Sequence, residues 1–156
     1  HLGDCPICCL PLPVDGEKST LMECCSKVIC LGCDVANQRR EIKESLENIC
    51  PFCRKAAPTT DEEADMNLMK RVKANDPIAL RQIGQLRYNE GGYDASFQYW
   101  TKAARLGDVG AHYALACMYR EGQGVQKDVK KKVHHLEQAA IGGHAFARHN
   151  LGVMEN

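Results

Sequence analysis

Six cysteines of this chain stand as three Cys-x-x-Cys pairs, Cys5/Cys8, Cys30/Cys33 and Cys50/Cys53. A turn of that spacing sets two sulfurs on one metal ion with little backbone strain, and zinc asks for four thiolate or imidazole ligands in a tetrahedron. Three pairs therefore need a fourth. Between the first pair and the second, Cys24 and Cys25 are available, while Cys9 merely adjoins Cys8. No histidine occurs between positions 2 and 111, so two sites of four cysteines each are the simplest count. Nine of the ten cysteines lie between positions 5 and 53, which favours metal ligation over a disulfide framework. Three cysteines completed by water or a carboxylate remain the alternative at the site Cys24 would complete.

Other reactive side chains carry less. Cys9 reads as a spare thiol beside the first pair, and Cys117 as a small apolar residue inside a helix. His134, His135, His144 and His149 gather near the end of the chain, without acidic or cysteine company at a ligand spacing, and are expected on solvated helix faces. No phosphate-binding loop, serine nucleophile elbow or HExxH helix is present, which argues against a metabolic enzyme.

The elements that must hold these residues follow from composition and periodicity. The 156 residues allow two small domains, and Lys plus Arg balances Asp plus Glu at 20 each, so no charge excess points to nucleic acid or a membrane surface. No apolar run approaches the roughly 20 residues that span a bilayer, and no signal-like stretch opens the chain. A soluble protein of the cytoplasm or nucleus is expected. The chain begins at His1 and stops within a helical pattern, as a piece of a longer protein would.

The cysteine-rich segment, residues 1–57, gives way to a polar stretch carrying Pro58 and then to a short helix, the two forming a linker over 58–75. Thr60 or Asp61 caps that helix, and Met66, Met69 and Val72 share one face. From Asp76 onward the sequence repeats itself. Trp100-Thr-Lys-Ala-Ala-Arg-Leu-Gly107 recurs as Leu136-Glu-Gln-Ala-Ala-Ile-Gly-Gly143, and Ala79 to Gly84 recurs as Ala111 to Ala116 and as Ala147 to Gly152. The lengths differ where Gly91-Gly92-Tyr93-Asp94 is replaced by Gly122-Gln-Gly-Val-Gln-Lys-Asp128. Each unit reads as helix, glycine turn, helix, glycine turn, which makes residues 76–156 an all-α solenoid of two units and part of a third. The A-x-x-x-L-G/A start, the GxG turn and the K/Q-A-A-x-x-G close resemble the Sel-1-like branch of the tetratricopeptide superfamily.

Cys5-Pro-Ile-Cys8, Cys25-Ser-Lys-Val-Ile-Cys30-Leu-Gly-Cys33 and Cys50-Pro-Phe-Cys53-Arg54 resemble the RING-finger family across residues 5–54, in an all-cysteine variant. The resemblance implies a small zinc-stabilised α+β cross-brace domain with interleaved ligands. One zinc ion would sit on Cys5, Cys8, Cys30 and Cys33, and the other on Cys24, Cys25, Cys50 and Cys53. Two departures stand out: the family usually has His where Lys27 stands, and its third and fourth ligands are seldom adjacent.

RING domains as a family are ubiquitin ligases that bind a ubiquitin-charged conjugating enzyme and act by positioning, without a nucleophile. By resemblance, Ile7, Pro51 and the helix following Cys33 would meet the conjugating enzyme, and Arg54 would bridge it to ubiquitin through a planar guanidinium. The helix after Cys33 begins Asp34-Val-Ala-Asn37, where many active members place a large apolar residue. The ligase reading has the repeats recruit a protein substrate; the alternative is a non-enzymatic zinc adapter whose two halves bind proteins. A LIM-like or ribbon-type zinc domain would serve the adapter equally well.

Overall fold

The computed structural model describes residues 3–13 and 18–154. By contact the chain divides between Lys70 and Arg71 into two compact units.

In the first unit a hairpin pairs β1 (Ser19–Met22) with β2 (Lys27–Cys30), antiparallel, with Ser19 opposite Cys30 and Met22 opposite Lys27. The β2 strand runs directly into α1 (Leu31–Glu44), so Cys33 falls in that helix's first turn. Thr20 Oγ1 donates to Asp34 Oδ2 at 2.8 Å and ties β1 to α1. The helix stops at Ser45, whose left-handed φ of 51° returns its N–H to the carbonyls of Glu41 and Ile42. Inside, Leu12 and Ile29 pack with Cys5, and Phe52 lies against them half-buried.

The α2 helix (Asp61–Lys73) starts in reciprocal capping: Thr60 Oγ1 accepts from the Glu63 N–H at 3.2 Å, and Glu63 Oε2 accepts from the Thr59 N–H at 2.8 Å. The apolar face expected on this helix forms only at its end. Val72 is buried, whereas Met66 and Met69 are exposed. Arg71 is buried beside Val72 because its guanidinium is satisfied, by Asp76 at 3.1 Å and Gln82 at 3.3 Å.

The second unit is an array of antiparallel helices, α3 (Pro77–Asn89), α4 (Tyr93–Arg105), α5 (Val109–Glu121), α6 (Val129–Ile141) and α7 (Ala145–Met154). Each opening helix is capped at an equivalent position. Asp76 accepts from the N–H groups of Ile78 and Ala79, Asp108 from Ala111 at 2.6 Å, and His144 Nδ1 from Ala147 at 3.3 Å. His144 also stacks on Tyr113, with ring centroids 4.3 Å apart. This corrects the expectation of a solvated face: capping and stacking leave His144 only partly exposed, while His134 and His149 are exposed.

The two complete units fill the same layer with complementary sizes. In the first, Trp100 is buried against Gly84, and a Cβ at position 84 would lie 2.5 Å from its ring. Trp100 Nε1 donates to the Arg81 carbonyl at 3.1 Å, satisfying the one polar atom of the indole. In the second unit the smaller Leu136 meets Ala116 in one buried cluster with Ala139 and Ala147. The longer α5–α6 connection turns on Gly122 and Gly124, both left-handed, and Gly124 lies so close to Tyr93 that a Cβ would sit 2.7 Å from it. No helix among the described residues is long and apolar enough to cross a membrane.

Gly84→Ala is expected to destabilise the repeats by ~1–3 kcal/mol through overpacking, and Trp100→Leu by ~2–4 kcal/mol through the space it leaves. The double substitution copies Ala116/Leu136 and should cost clearly less than the sum of the two, measured by urea unfolding of the helical signal in a double-mutant cycle. Simple additivity would refute the size-matching account.

Candidate metal centre

Two turns of the same construction carry the first and last cysteine pairs. In one, the Cys5 N–H donates to the Leu10 carbonyl and the Cys9 N–H returns to the Cys5 carbonyl, each at 2.8 Å, with Asp4 bridged to Pro11. In the other, the Cys50 N–H donates to the Lys55 carbonyl at 2.8 Å and the Arg54 N–H to the Cys50 carbonyl at 3.0 Å, with Ile49 bridged to Ala56. Cys9 and Arg54 hold the same place in these turns, and both take a left-handed φ, 58° and 57°. Cys9 is exposed there and belongs to neither sulfur group.

The remaining pairs come from the hairpin and its helix. Cys24 and Cys25 occupy the β1–β2 turn, where the N–H groups of Cys25 and Ser26 both donate to the Met22 carbonyl. Cys30 closes β2 and Cys33 lies in the first turn of α1. Two groups result, Cys5, Cys8, Cys30 and Cys33 in one and Cys24, Cys25, Cys50 and Cys53 in the other, with the sulfurs of each group within 4.8 Å of one another. The pairs alternate along the chain, first with third and second with fourth. Cys24 stands 3.3 Å from Cys53, and Lys27 is exposed and outside the group.

The donor set fits a thiophilic ion. Four sulfurs each about 2.3 Å from a central ion stand about 3.8 Å apart in a tetrahedron. The separations here are 3.8 Å for Cys8–Cys30 and 3.6 Å for Cys25–Cys50, sulfur to sulfur. These are far too long for a disulfide, and all ten cysteines are free. Both groups could therefore hold metal ions.

Protonation is uneven within each group. Burial pushes the Cys5 thiol up, but N–H donors of Cys30, Cys8 and Ile7 outweigh it and bring the thiol down to about 6. Burial likewise opposes the N–H groups of Cys53 and Phe52 at Cys50, which end at about 7. Burial and neighbouring sulfurs raise Cys24 and Cys25, and push Cys33 up to about 12. Charge is thus favoured at Cys5 and Cys50 and opposed at Cys24, Cys25 and Cys33, from which a bound ion would have to displace protons.

Ile7, Pro51 and Arg54 come together beside the cysteines. They line an open hollow of about 580 Å³ that α1 completes with Ala36, Asn37 and Arg40. In the repeats, a second hollow of about 320 Å³ is lined by Arg81, Tyr88, Tyr113, Cys117, Glu121 and His144 among others. Cys117 is half-buried in this wall, and burial raises its thiol. The sequence reading passed over the second hollow because its aromatic and charged residues come from different helices with no common spacing.

No protein-family model matches the chain. Among solved structures, the Sel1 repeat protein from Oxalobacter formigenes is 28% identical, covering 60% of this chain and 40% of its own, with a TM-score of 0.54. A protective antigen of uropathogenic Escherichia coli strains displaying an SLR fold is 23% identical, covering 67% of this chain and 23% of its own, with a TM-score of 0.55. Cysteine rich protein B of Helicobacter pylori is 22% identical, covering 75% of this chain and 91% of its own, with a TM-score of 0.52. The last two show the fold alone. These neighbours support the repeat part of the chain as a Sel1-type helical array, and the chain spans less than half the length of the first two.

Cys24→Ser is expected to lower the bound metal by one ion per chain, and Cys9→Ser to leave it unchanged, by elemental analysis of purified protein. Acidification should release the ions, because it returns thiolates to thiols. Metal retained equally by the Cys24 variant would remove Cys24 from the ligand set.

Proposed function

We propose that this chain is a zinc-binding protein-interaction adapter, with a zinc domain over residues 1–57, a linker and short helix over 58–75, and repeats over 76–156 that grip a protein partner. The observation that carries this reading is the similarity of the repeats to Sel1-type arrays, since stacked helix pairs present extended surfaces suited to binding proteins. The hollow lined by Tyr88, Tyr113, Arg81 and Glu121 adds the aromatic and charged mixture that anchors a partner's side chains. Zinc is the ion of this reading, supported by two groups of four cysteines each, a donor set that suits a closed structural zinc site. A reducing compartment, cytoplasm or nucleus, keeps such thiols available to the metal.

One observation favours a second reading, a RING-type ubiquitin ligase. The interleaved cysteine groups, and a hollow that contains Ile7, Pro51 and Arg54, resemble the arrangement by which that family docks a charged conjugating enzyme. The comparisons lend ubiquitin transfer no support, so the adapter reading stands first.

Autoubiquitination with purified activating enzyme and a panel of conjugating enzymes separates the two. The adapter reading expects no chain formation from the wild-type protein across the panel. Activity in the wild type that falls at least tenfold in Ile7→Ala and Arg54→Ala would overturn it in favour of the ligase. Partner capture on the repeats is checked by cross-linking, with the purified partner then expected to bind Tyr113→Ala about tenfold more weakly.

A further inference from the structure

His112 on α5 and His135 on α6 face one another across the helix pair, Nδ1 to Nδ1, at 3.0 Å. The sequence offered His135 only as a member of a solvated cluster, and His112, 23 residues earlier, had no place in it. The structure corrects the first: His135 is half-buried under Tyr119, which stacks on it with centroids 5.7 Å apart and planes within 12°. His112 takes the repeat position that the fully buried Leu80 holds in the preceding unit, as Ala79 corresponds to Ala111. A polar ring at such a position costs stability unless its nitrogens are engaged.

We propose that His112 and His135 form a two-imidazole site for a borderline divalent cation of the zinc type, clamping α5 to α6. Two nitrogens bound to one such ion at about 2.0–2.1 Å stand about 3.3 Å apart in tetrahedral geometry, so the pair needs to open by only a few tenths of an ångström. Water completes the coordination, since neither ring is fully buried.

The surroundings favour a ligand role. The backbone of Ala104 acts on His112 as a hydrogen-bond acceptor, and with Nδ1 turned to His135 the tautomer that serves both contacts carries the His112 proton on Nε2. A ligating histidine characteristically gives its second N–H to such a carbonyl, which leaves the facing nitrogen as a bare donor of electrons. With no ion present, His135 supplies the proton shared between the two Nδ1 atoms. On binding, His135 carries its proton on Nε2 instead, so two neutral imidazoles take the ion without net proton release.

Burial, the neighbouring rings and His134 hold both imidazoles below the usual histidine range, His135 down to about 4, so the pair is uncharged at neutral pH. The other charges nearby are Asp108, which acts on His112, and Lys131, which lies 5.3 Å over the Tyr119 ring and pairs with Asp128.

The experiment uses the full chain saturated with zinc at its cysteine groups. Equilibrium dialysis against excess zinc at pH 7.5 should add one further ion per chain, lost in His112→Gln and in His135→Gln but kept in His149→Gln. The same zinc excess should raise the melting temperature of the repeats in the wild type and not in the two variants. Should His112→Gln fail to fold, the wild-type chain still decides the matter: zinc should protect His112 and His135, but not His149, from diethyl pyrocarbonate as read by peptide mass spectrometry. Equal zinc content in wild type and variants, or equal modification of all three histidines with and without zinc, means a hydrogen-bonded imidazole pair only and overturns the site.

Discussion

Convergence of four sulfurs on one point, twice, is the constraint on which the first unit depends. Between Gly3 and Lys70 the buried carbon side chains among the described residues are few, chiefly Leu12 and Ile29 around Cys5. An apolar core of that size cannot offset the chain entropy of so long a segment. Alternation of the pairs answers this: one group joins the first turn to the hairpin end and helix start, and the other joins the hairpin turn to the last turn. An ion held by each group would close a long loop that the other cannot, and metal binding would then become folding free energy.

Electrostatics within the groups point the same way. Two or more backbone N–H groups converge on each of Cys5 and Cys50, the most buried cysteine of each group, and draw those sulfurs toward the thiolate. Burial and the neighbouring sulfurs oppose charge on Cys24, Cys25 and Cys33, and a bound cation would relieve that opposition. The hollow at Ile7, Pro51 and Arg54 is a by-product of the same turns: the left-handed residue after the second turn is Arg54 itself, so its side chain is placed by the backbone geometry of the Cys50–Cys53 turn.

The repeats are held together by other means. Their caps, Asp76, Asp108 and His144, recur at equivalent positions, and their interior trades size between facing helices, Gly84 with Trp100 and Ala116 with Leu136. Dense packing requires such compensation, since a cavity or an overlap of one methylene is already felt. Some polar residues enter this interior with their atoms matched, as with Arg71 on Asp76 and Gln82, or His112 on His135, whereas the buried hydroxyls of Ser96 and Thr101 in α4 have no partner among the described residues.

Much of this was legible from residue types and spacing. Cys-x-x-Cys spacing is a local property, because the turn that makes it a chelate spans five residues, and a repeat period is visible wherever stacked helices must present the same face. The approach of Cys24 to Cys53, the exposure of Met66 and Met69, the stacking of His144 on Tyr113 and the meeting of His112 with His135 were decided by the tertiary structure alone. Each depends on whether another segment supplies a partner, as Cys53, Tyr113 and a facing helix do and as no described segment does for Met66 and Met69, and no periodicity within one segment encodes the distance to a partner in another.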